Sequence, residues 1–531
     1  MTGFDPVRIE VFRHLFASVA EEMGTVLRRT GYSPNIKERR DFSCAIFDAS
    51  GQMIAQAAHI PVHLGAMPLS VQAVLESMDL EPGDVAILND PYRGGTHLPD
   101  ITLVTPVFVS AGKLLGFAAS RAHHADVGGM SPGSMPIARD LYGEGLIIPP
   151  LKLVAGGEIN QALLDLLLAN VRTPEERAGD LRAQLAANAT GVRRMGDLVT
   201  RHGMEEIERA MQALLDYAER MTRRLLAGLP DGTYRFRDLM DGDGVDAEPA
   251  AIAVAITIDG DAVLVDFTGT SPQRRGSINA VYAITLSATY YAFRCLLGQD
   301  VPTNSGCLRP IRLIAPEGTL VNARRPAPVA GGNVETSQRI TDVLLGALAQ
   351  AAPDRVPAAS QGTMNNLTVG GWDAERGQPF AYYETTGGGM GARPGKDGVD
   401  AIHTHMTNTL NTPVEALEFA YPLRVQRYEI RRGSGGAGRW YGGDGIRRDL
   451  ELLVDAQVTI LSERRVLAPY GLAGGEPGAP GRNVLIQNGQ ETELPGKVTL
   501  AAEAGEVISL ETPGGGGWGD RRQSAEEGVL P

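Results

Sequence analysis

The chain has 531 residues, of which 43% are hydrophobic and 21% charged, so it is long enough for two to four domains with a large buried core. A net charge of −14 excludes the basic footprint of a nucleic-acid-binding protein and disfavours attachment to an anionic membrane. Three cysteines, no apolar run of 18 residues and no signal-peptide pattern at the start predict a cytoplasmic protein without a disulfide framework or a membrane span.

The first segment, residues 1–230, is predicted to be a mixed α/β region with long helices. Its opening gives a clear signal, because Asp5 suits an N-cap, Pro6 suits the first helical turn, and an apolar face recurs at helical spacing over 5–30. The further elements predicted here are a strand that ends at Asp48, a strand over 52–56, a helix over 68–79, a strand over 83–88, a helix over 161–170, and a helical run over 174–228 that breaks near Gly191 and Gly203.

Two polar stretches of this segment, residues 89–100 and 121–129, flank two β-rich runs joined by a Gly-containing turn. This pattern predicts a β-hairpin whose turn covers 110–113. Because a hairpin brings its outer ends together, the polar side chains of the two stretches should converge. Those with metal-ligating or proton-transferring groups are His97, Asp100, His123, His124 and Asp126.

Two imidazoles and a carboxylate that converge on one point can bind a divalent metal, and an open coordination position makes such a metal catalytic. Three of the nine histidines of the chain lie in this hairpin, which favours a metal site. For either stretch taken alone, hydrogen bonds that only tie a loop together are the better explanation. Both interpretations, a metal site and structural hydrogen bonds, therefore remain open for these residues. Asp41, where a charged run meets an apolar strand, is by itself more typical of a structural residue. The loop over 128–145 is long enough to be a functional loop or lid.

Residues 231–357 are predicted to form a β-rich domain with inserted helices. A period-two apolar run over 251–258, the turn residues Asp259 and Gly260, and a second β-rich run predict a hairpin. The helices expected in this segment cover 283–297 and 335–351.

Residues 358–531 are predicted to be rich in strands and glycine, which makes the fold class α+β with several domains. The glycine-rich stretch over 383–393 lacks the Gly-Lys-Ser/Thr ending of a phosphate-binding loop, which favours backbone packing. His403 and His405 alternate as on a strand and should face one side, where core or hydrogen-bonding roles are more typical than a second ligand pair. Four consecutive glycines over 514–517 predict either close backbone approach or a tail that docks on another surface.

Several ordered motifs resemble the hydantoinase B/oxoprolinase family along nearly the whole chain. The motifs occupy residues 37–45, 89–100, 123–129, 361–366, 384–393, 403–409 and 513–520. Members of this family are B-type subunits of ATP-dependent enzymes that open hydantoins, 5-oxoproline or lactams, and more distant relatives are subunits of ketone carboxylases. The resemblance implies that ATP-Mg is bound by a partner, an A-type subunit, in a hetero-oligomer such as (αβ)2.

The resemblance also assigns roles to the candidate site residues. It implies that one divalent metal, zinc before manganese or iron, is held by four ligands: Asp41, His97, Asp100 and His123. His124 and Asp126 would lie behind these ligands as catalytic residues that orient them or move protons. His123 is preferred to His124 as the ligand because His123 is spaced His-x-x-Asp from Asp126.

The resemblance implies a reaction in which ATP phosphorylates the amide oxygen of a small cyclic substrate and the metal activates the water that opens the ring. Two alternatives remain open. The chain is a subunit of a ketone carboxylase, or it is a non-catalytic subunit whose metal is structural and closed by four protein ligands. The Thr-His-Leu-Pro-Asp form over 96–100 favours the hydrolases.

Overall fold

The computed structural model describes residues 5–57, 60–109, 112–298 and 301–521. A π-helical turn, Gly332–Thr336, runs directly into one of the helices. The helices of the described residues are α1 (Pro6–Thr30), α2 (Pro34–Lys37), α3 (Ala66–Leu75), α4 (Gln161–Ala169), α5 (Pro174–His202), α6 (Met204–Leu226), α7 (Tyr282–Leu296), α8 (Ser337–Ala351) and α9 (Val414–Ala420).

The strands form four sheets in the same part of the chain. They are β1 (Phe42–Asp48), β2 (Met53–Gln56), β3 (Val85–Leu88), β4 (Asp100–Val109), β5 (Lys113–His123), β6 (Leu151–Ala155), β7 (Glu158–Ile159), β8 (Gly232–Met240), β9 (Ala250–Asp259), β10 (Ala262–Asp266), β11 (Ile311–Ile314), β12 (Asn366–Asp373), β13 (Gln378–Glu384), β14 (Leu423–Arg431), β15 (Gly445–Leu452), β16 (Ala456–Leu461), β17 (Arg482–Gln487), β18 (Gln490–Leu494), β19 (Lys497–Ala502) and β20 (Val507–Glu511). The sheet orders are β2-β1-β5-β4-β3-β6-β7, β11-β10-β9-β8, β13-β12-β16-β19 and β14-β15-β20-β17-β18.

The first sheet carries the predicted hairpin at its centre. β4 and β5 pair antiparallel, β5 also pairs with β1, and the register sets Asp100 opposite His123 at the outer end of the hairpin. Residues 110 and 111 of the predicted turn lie outside the described residues. The hairpin prediction is confirmed, because the strands on either side of that turn end at Val109 and begin at Lys113.

The helices of this segment confirm most of the predicted boundaries. α1 begins where predicted, and the Asp5 carboxylate accepts a hydrogen bond from the Val7 N–H. The predicted break at Gly203 is present, but the break near Gly191 is wrong, since α5 runs uninterrupted through that residue. A Cβ atom at Gly191 would lie 2.5 Å from the Met23 sulfur, so this glycine lets α5 approach α1 closely rather than ending the helix.

The middle segment has the predicted hairpin of β9 and β10 and both predicted helices, α7 and α8. One continuous hydrophobic core takes residues from all three predicted segments, among them Ile87, Ile256 and Leu461. A functional site between these segments can therefore contain residues from all three of them. The domain boundaries themselves, 1–230, 231–357 and 358–531, stay a prediction.

The last segment is built from two sheets, the short helix α9 and long irregular stretches, so the chain has the predicted α+β fold class. The prediction that His403 and His405 face one side of a strand is wrong. Neither residue lies in a named strand, and His405 has a positive φ of 55° that turns the backbone between them. The His403 ring contacts the Asn411 side chain, whereas the His405 ring contacts the Tyr291 hydroxyl.

Glycines of this segment pack backbone against backbone in a layer that we call the glycine cluster: Gly389, Gly391, Gly442, Gly443 and Gly514 to Gly517. A Cβ atom at Gly516 would lie 2.0 Å from the Tyr470 carbonyl oxygen, and one at Gly515 would lie 2.1 Å from that of Met390. The predicted close backbone approach over 514–517 is confirmed. Among the helices that the structure describes, none combines the length and apolar character needed to cross a membrane.

Candidate metal centre

Three predicted residues of the hairpin come together at its outer end. Asp100 begins β4 and His123 ends β5, and the two are register partners. His97 lies in the turn that leads into β4, where its carbonyl oxygen accepts a hydrogen bond of 3.1 Å from the Asp100 N–H. The convergence expected from the hairpin is thus present for these three side chains.

The distances between these side chains suit a metal ion. One Asp100 carboxylate oxygen, Oδ1, lies 3.2 Å from His97 Nε2 and 3.4 Å from His123 Nδ1. The potential ligand atoms of the three residues all lie within 4.8 Å of one another, and all three side chains are buried. We call these residues the metal group, since two imidazoles and a carboxylate could hold a divalent ion there.

The charges in this group favour binding of a cation. Burial by itself would raise the pKa of Asp100, but the surrounding imidazoles of His97, His63 and His123 hold that pKa well below its ordinary value. Burial lowers the pKa of His123 and of His63, which the carboxylate of Asp100 only partly opposes. These shifts favour an ionised Asp100 carboxylate and neutral rings of His63 and His123, which are the protonation states that metal ligands need.

The residues present fit a bound metal in one further respect. His123 Nε2 is buried and has no hydrogen-bond partner among the described residues. Its ring is held by the Tyr383 ring, which stacks on it at a centroid distance of 4.3 Å, and the Arg39 guanidinium covers the same tyrosine at 4.9 Å. A buried imidazole nitrogen that is fixed in direction and left without a partner is suited to bind an ion.

A cavity of about 20 Å³ adjoins the metal group. Polar walls come from Asp41, His63, His123 and Asn333, and apolar ones from residues such as Val62. Its volume corresponds to about one water molecule. The cavity can hold a water molecule beside His123.

Asp41, the fourth predicted ligand, lies at this cavity but outside the group of atoms within 4.8 Å. Its carboxylate lies 3.5 Å from an Arg39 guanidinium nitrogen, and its carbonyl oxygen accepts a hydrogen bond from the His123 N–H. Asp41 is therefore beside the metal group and attached to it through the backbone.

Sequence reasoning missed His63. Its Nε2 lies 3.3 Å from Asp100 Oδ2, and its Nδ1 lies 2.9 Å from the Ser43 hydroxyl oxygen. His63 ends a short turn, Pro61–His63, in a part of the chain without a recognisable motif. The only sequence feature that could have pointed to His63 is the scarcity of histidines, of which the chain has nine.

Asn333 was missed as well. Its amide Nδ2 donates to His97 Nε2 at 2.9 Å and lies 3.5 Å from Asp100 Oδ2. Asn333 lies in the π-helical turn before α8, and single π-helical turns are frequent at functional sites. The sequence predicted this helix from residue 335 and gave no sign of the turn before it.

His124 and Asp126, the predicted catalytic residues, lie away from the metal group. His124 Nε2 contacts the Gln184 side chain of α5 at 2.9 Å, and burial beside the cationic Arg177 lowers the pKa of His124 to about 4. The Asp126 carboxylate accepts from the Gly128 and Gly133 N–H groups and from Arg172. Asp126 thus anchors the loop over 128–145.

Known proteins resemble this chain along its length. The family model for hydantoinase B/oxoprolinase matches residues 5–521. 5-Oxoprolinase 1 of Arabidopsis thaliana is 41% identical over 547 residues, which cover 97% of this chain and 42% of the relative. The putative B-type subunit of a D-/L-hydantoinase from Pseudomonas sp. strain NS671 is 35% identical, with coverage of 99% of this chain and 92% of the relative. The chain thus spans about two fifths of the 5-oxoprolinase and nearly all of the hydantoinase polypeptide.

The fold has a solved counterpart in the crystal structure of the ATP-dependent caprolactamase from Pseudomonas jessenii. That chain is 31% identical and superimposes with a TM-score of 0.91, over 99% of this chain and 95% of the other.

Proposed function

Because this chain belongs to the hydantoinase B/oxoprolinase family, we propose that it is the metal-carrying B-type subunit of an ATP-dependent hydrolase that opens cyclic amides. The substrate class is that of hydantoins, 5-oxoproline and lactams. The named relatives support this class, because they are a 5-oxoprolinase, a hydantoinase polypeptide and a caprolactamase.

The observation that carries the proposal is the buried metal group of His97, Asp100 and His123 beside a cavity of one-water size. A divalent cation held there supplies Lewis-acid activation of water at neutral pH, and a donor set of nitrogen and oxygen suits zinc, manganese or iron. The three side chains of the metal group are buried, which limits the access of bulk water to a group bound there.

The chain's own residues hold this site in shape. His63 contacts the second carboxylate oxygen of Asp100, Asn333 donates to His97, and the Tyr383 ring restrains that of His123. Asp41 faces the cavity, where its carboxylate can accept a proton from water. Its role as a fourth ligand stays a prediction that requires its side chain to turn toward His123.

The catalytic roles predicted for His124 and Asp126 also stay proposals. Their contacts favour a positioning function, because His124 ties the end of β5 to α5 through Gln184 and Asp126 holds the loop over 128–145. Both act next to His123 along the chain and thereby fix the strand end that carries it.

We place the ATP-Mg site in a separate A-type subunit. The chain matches about two fifths of a 5-oxoprolinase but nearly the full length of the B-type hydantoinase polypeptide, which supports a division of the activity between two chains. A cytoplasmic hetero-oligomer such as (αβ)2 is the assembly proposed for it.

Co-expression with its A-type partner tests the proposal. The complex should consume ATP and open at least one of a hydantoin, 5-oxoproline and caprolactam, and it should contain about one divalent metal per B-type chain. The isolated chain should bind no ATP in calorimetry. A complex that instead fixes bicarbonate onto acetone supports the carboxylase alternative, and a metal-free complex with full activity contradicts the metal assignment.

A further inference from the structure

A buried carboxylate, that of Glu144, lies next to the segment that contacts the metal group. Glu144 stands at the end of the loop over 128–145, directly after a short turn, Leu141–Gly143, and is fully buried. None of the family motifs recognised in the sequence includes this residue.

The contacts of Glu144 lead to His97 in two steps. One carboxylate oxygen, Oε1, accepts hydrogen bonds from the N–H groups of Val329 at 2.8 Å and Ala330 at 2.9 Å. The carbonyl oxygen of the same Ala330 lies 3.3 Å from His97 Nδ1. Glu144 therefore holds the backbone segment that presents a carbonyl group to a member of the metal group.

This contact fixes the tautomer of His97. A carbonyl oxygen can only accept, so His97 Nδ1 carries the proton and donates it to Ala330. The lone pair is then on Nε2, the nitrogen that faces Asp100 at 3.2 Å. Metal-binding imidazoles commonly donate their other N–H to a carbonyl in this way, which directs the ring and raises its basicity.

We propose that Glu144 is a positioning residue for the metal centre: it fixes the Ala330 carbonyl that orients His97 and thereby sets the affinity of the site for its cation. The proposal rests on the metal-binding part of the proposed function and not on the reaction.

Burial is unfavourable for this carboxyl group, which supports a role beyond stability. Burial raises the pKa of Glu144 to about 8, although the Ala330 and Val329 N–H groups oppose the shift. An apolar side chain in this place would leave the Val329 and Ala330 N–H groups without their acceptor. The two backbone contacts of Glu144, which an apolar side chain cannot make, are what the position requires.

Asp84 provides a matched control. It is also buried, and its carboxylate also accepts from two backbone N–H groups, those of Glu81 and Gly156, beside Lys152. Its partners belong to the edge of the first sheet and not to the segment around Ala330. Removing Asp84 tests the structural effect of losing such an anchor without touching His97.

The experiment measures zinc affinity by competition with a chelator, the absorption spectrum of the cobalt(II)-loaded protein, and the melting temperature. The variants of the full chain are Glu144→Leu, Glu144→Gln, Glu144→Asp and Asp84→Leu. Glu144→Leu should weaken zinc binding by about 10- to 100-fold and alter the cobalt spectrum. Glu144→Gln should restore both, because its amide oxygen still accepts from the two N–H groups. Asp84→Leu should melt earlier and keep the affinity and spectrum of the wild type.

A folded Glu144→Leu chain with wild-type affinity and spectrum overturns the proposal. If Glu144→Leu does not fold, Glu144→Asp decides, because its shorter side chain withdraws from the N–H groups and should weaken zinc binding, whereas unchanged binding overturns the proposal. A wild-type chain without affinity for divalent cations overturns both this inference and the metal assignment. Normal metal binding without ring opening contradicts only the proposed reaction.

Discussion

The metal group and the glycine cluster are two buried regions that are held together in opposite ways. In the metal group, polar side chains meet at short distances, as with the 3.2 Å between His97 Nε2 and Asp100 Oδ1. In the glycine cluster, backbones meet without side chains, as where the Gly516 N–H donates to the Ala359 carbonyl oxygen at 2.8 Å. The glycine cluster joins segments that are far apart in sequence, whereas the metal group lies in one hairpin and is contacted by His63 and Asn333 from other segments.

The difference indicates what each region tolerates. The metal group depends on donor and acceptor atoms, so a replacement that keeps the atom should keep the function. The backbones of the glycine cluster leave no room for side chains, so even a single added methyl group should destabilise the fold. Donor and acceptor atoms therefore limit which substitutions the metal group tolerates, and side-chain volume limits them in the glycine cluster.

The largest effect should come from His97→Ala. The substitution removes one of three ligands and leaves the Asp100 carboxylate without its cation, so metal binding and ring opening by the complex should both be lost. The melting temperature should also fall, because the metal binds only the folded state. Metal analysis, ATP-dependent turnover and melting curves of the purified complex measure these changes.

His202→Ala is the control for this substitution. His202 ends α5 and its ring packs against Phe12, away from the metal group. It should leave metal content and turnover unchanged. His59→Ala should likewise leave metal content and turnover unchanged, although His59 itself falls outside the described residues. If His97→Ala lost stability but kept its turnover per folded complex, the metal would be structural.

Gly516→Ala should destabilise the protein by about 3 kcal/mol or more, because its Cβ atom would lie 2.0 Å from the Tyr470 carbonyl oxygen. Gly196→Ala in α5 is the matched control. No atom of the described residues lies within 4 Å of a Cβ atom placed there, so alanine should stabilise the helix by about 0.5–1 kcal/mol. Urea unfolding of both variants measures the difference, and equal effects would contradict the role of volume.

Asp41→Asn distinguishes two roles for Asp41. The sequence predicts a metal ligand, whereas the structure shows a residue in the cavity wall. With Asp41 at the wall, zinc affinity should fall by no more than about tenfold while turnover by the complex falls more strongly. Asp100→Asn, which alters the centre of the metal group, should abolish tight binding. Equal loss of affinity in the two variants would establish Asp41 as a ligand.

Glu335→Gln should change only the pH dependence of stability. Burial raises the pKa of Glu335 from its ordinary value of 4.5 to about 7, although contacts such as that of the Met364 N–H oppose it. Between pH 4.5 and about 7 the folded chain keeps a proton that the unfolded chain releases. The free energy of unfolding should therefore fall as the pH rises, by at most about 1.4 kcal/mol per pH unit. Glutamine should remove this slope. Urea unfolding from pH 4.5 to 8 compares the variants, and parallel curves would contradict the assignment.

The sequence predicted the part of the site that depends on local pairing. His97, Asp100 and His123 were found because one hairpin brings them together, and two β-rich runs joined by a Gly-containing turn predicted that hairpin. His63 and Asn333 could not be found in this way, since they reach Asp100 through the packing of separate segments. Gly191 was misread for the same reason, because its lack of a side chain serves contact with α1 rather than the local helix.

The contact between the Ala330 carbonyl and His97 also has a consequence for biosynthesis. The ribosome completes the hairpin at residue 123, whereas residue 330 follows roughly 200 residues later, a delay on the order of ten seconds or more at typical rates of translation. The donors of the metal group thus exist in the nascent chain before the carbonyl that orients one of them. A cation that meets the nascent hairpin encounters a looser site than the finished protein provides, and the final selection among cations falls to the completed chain.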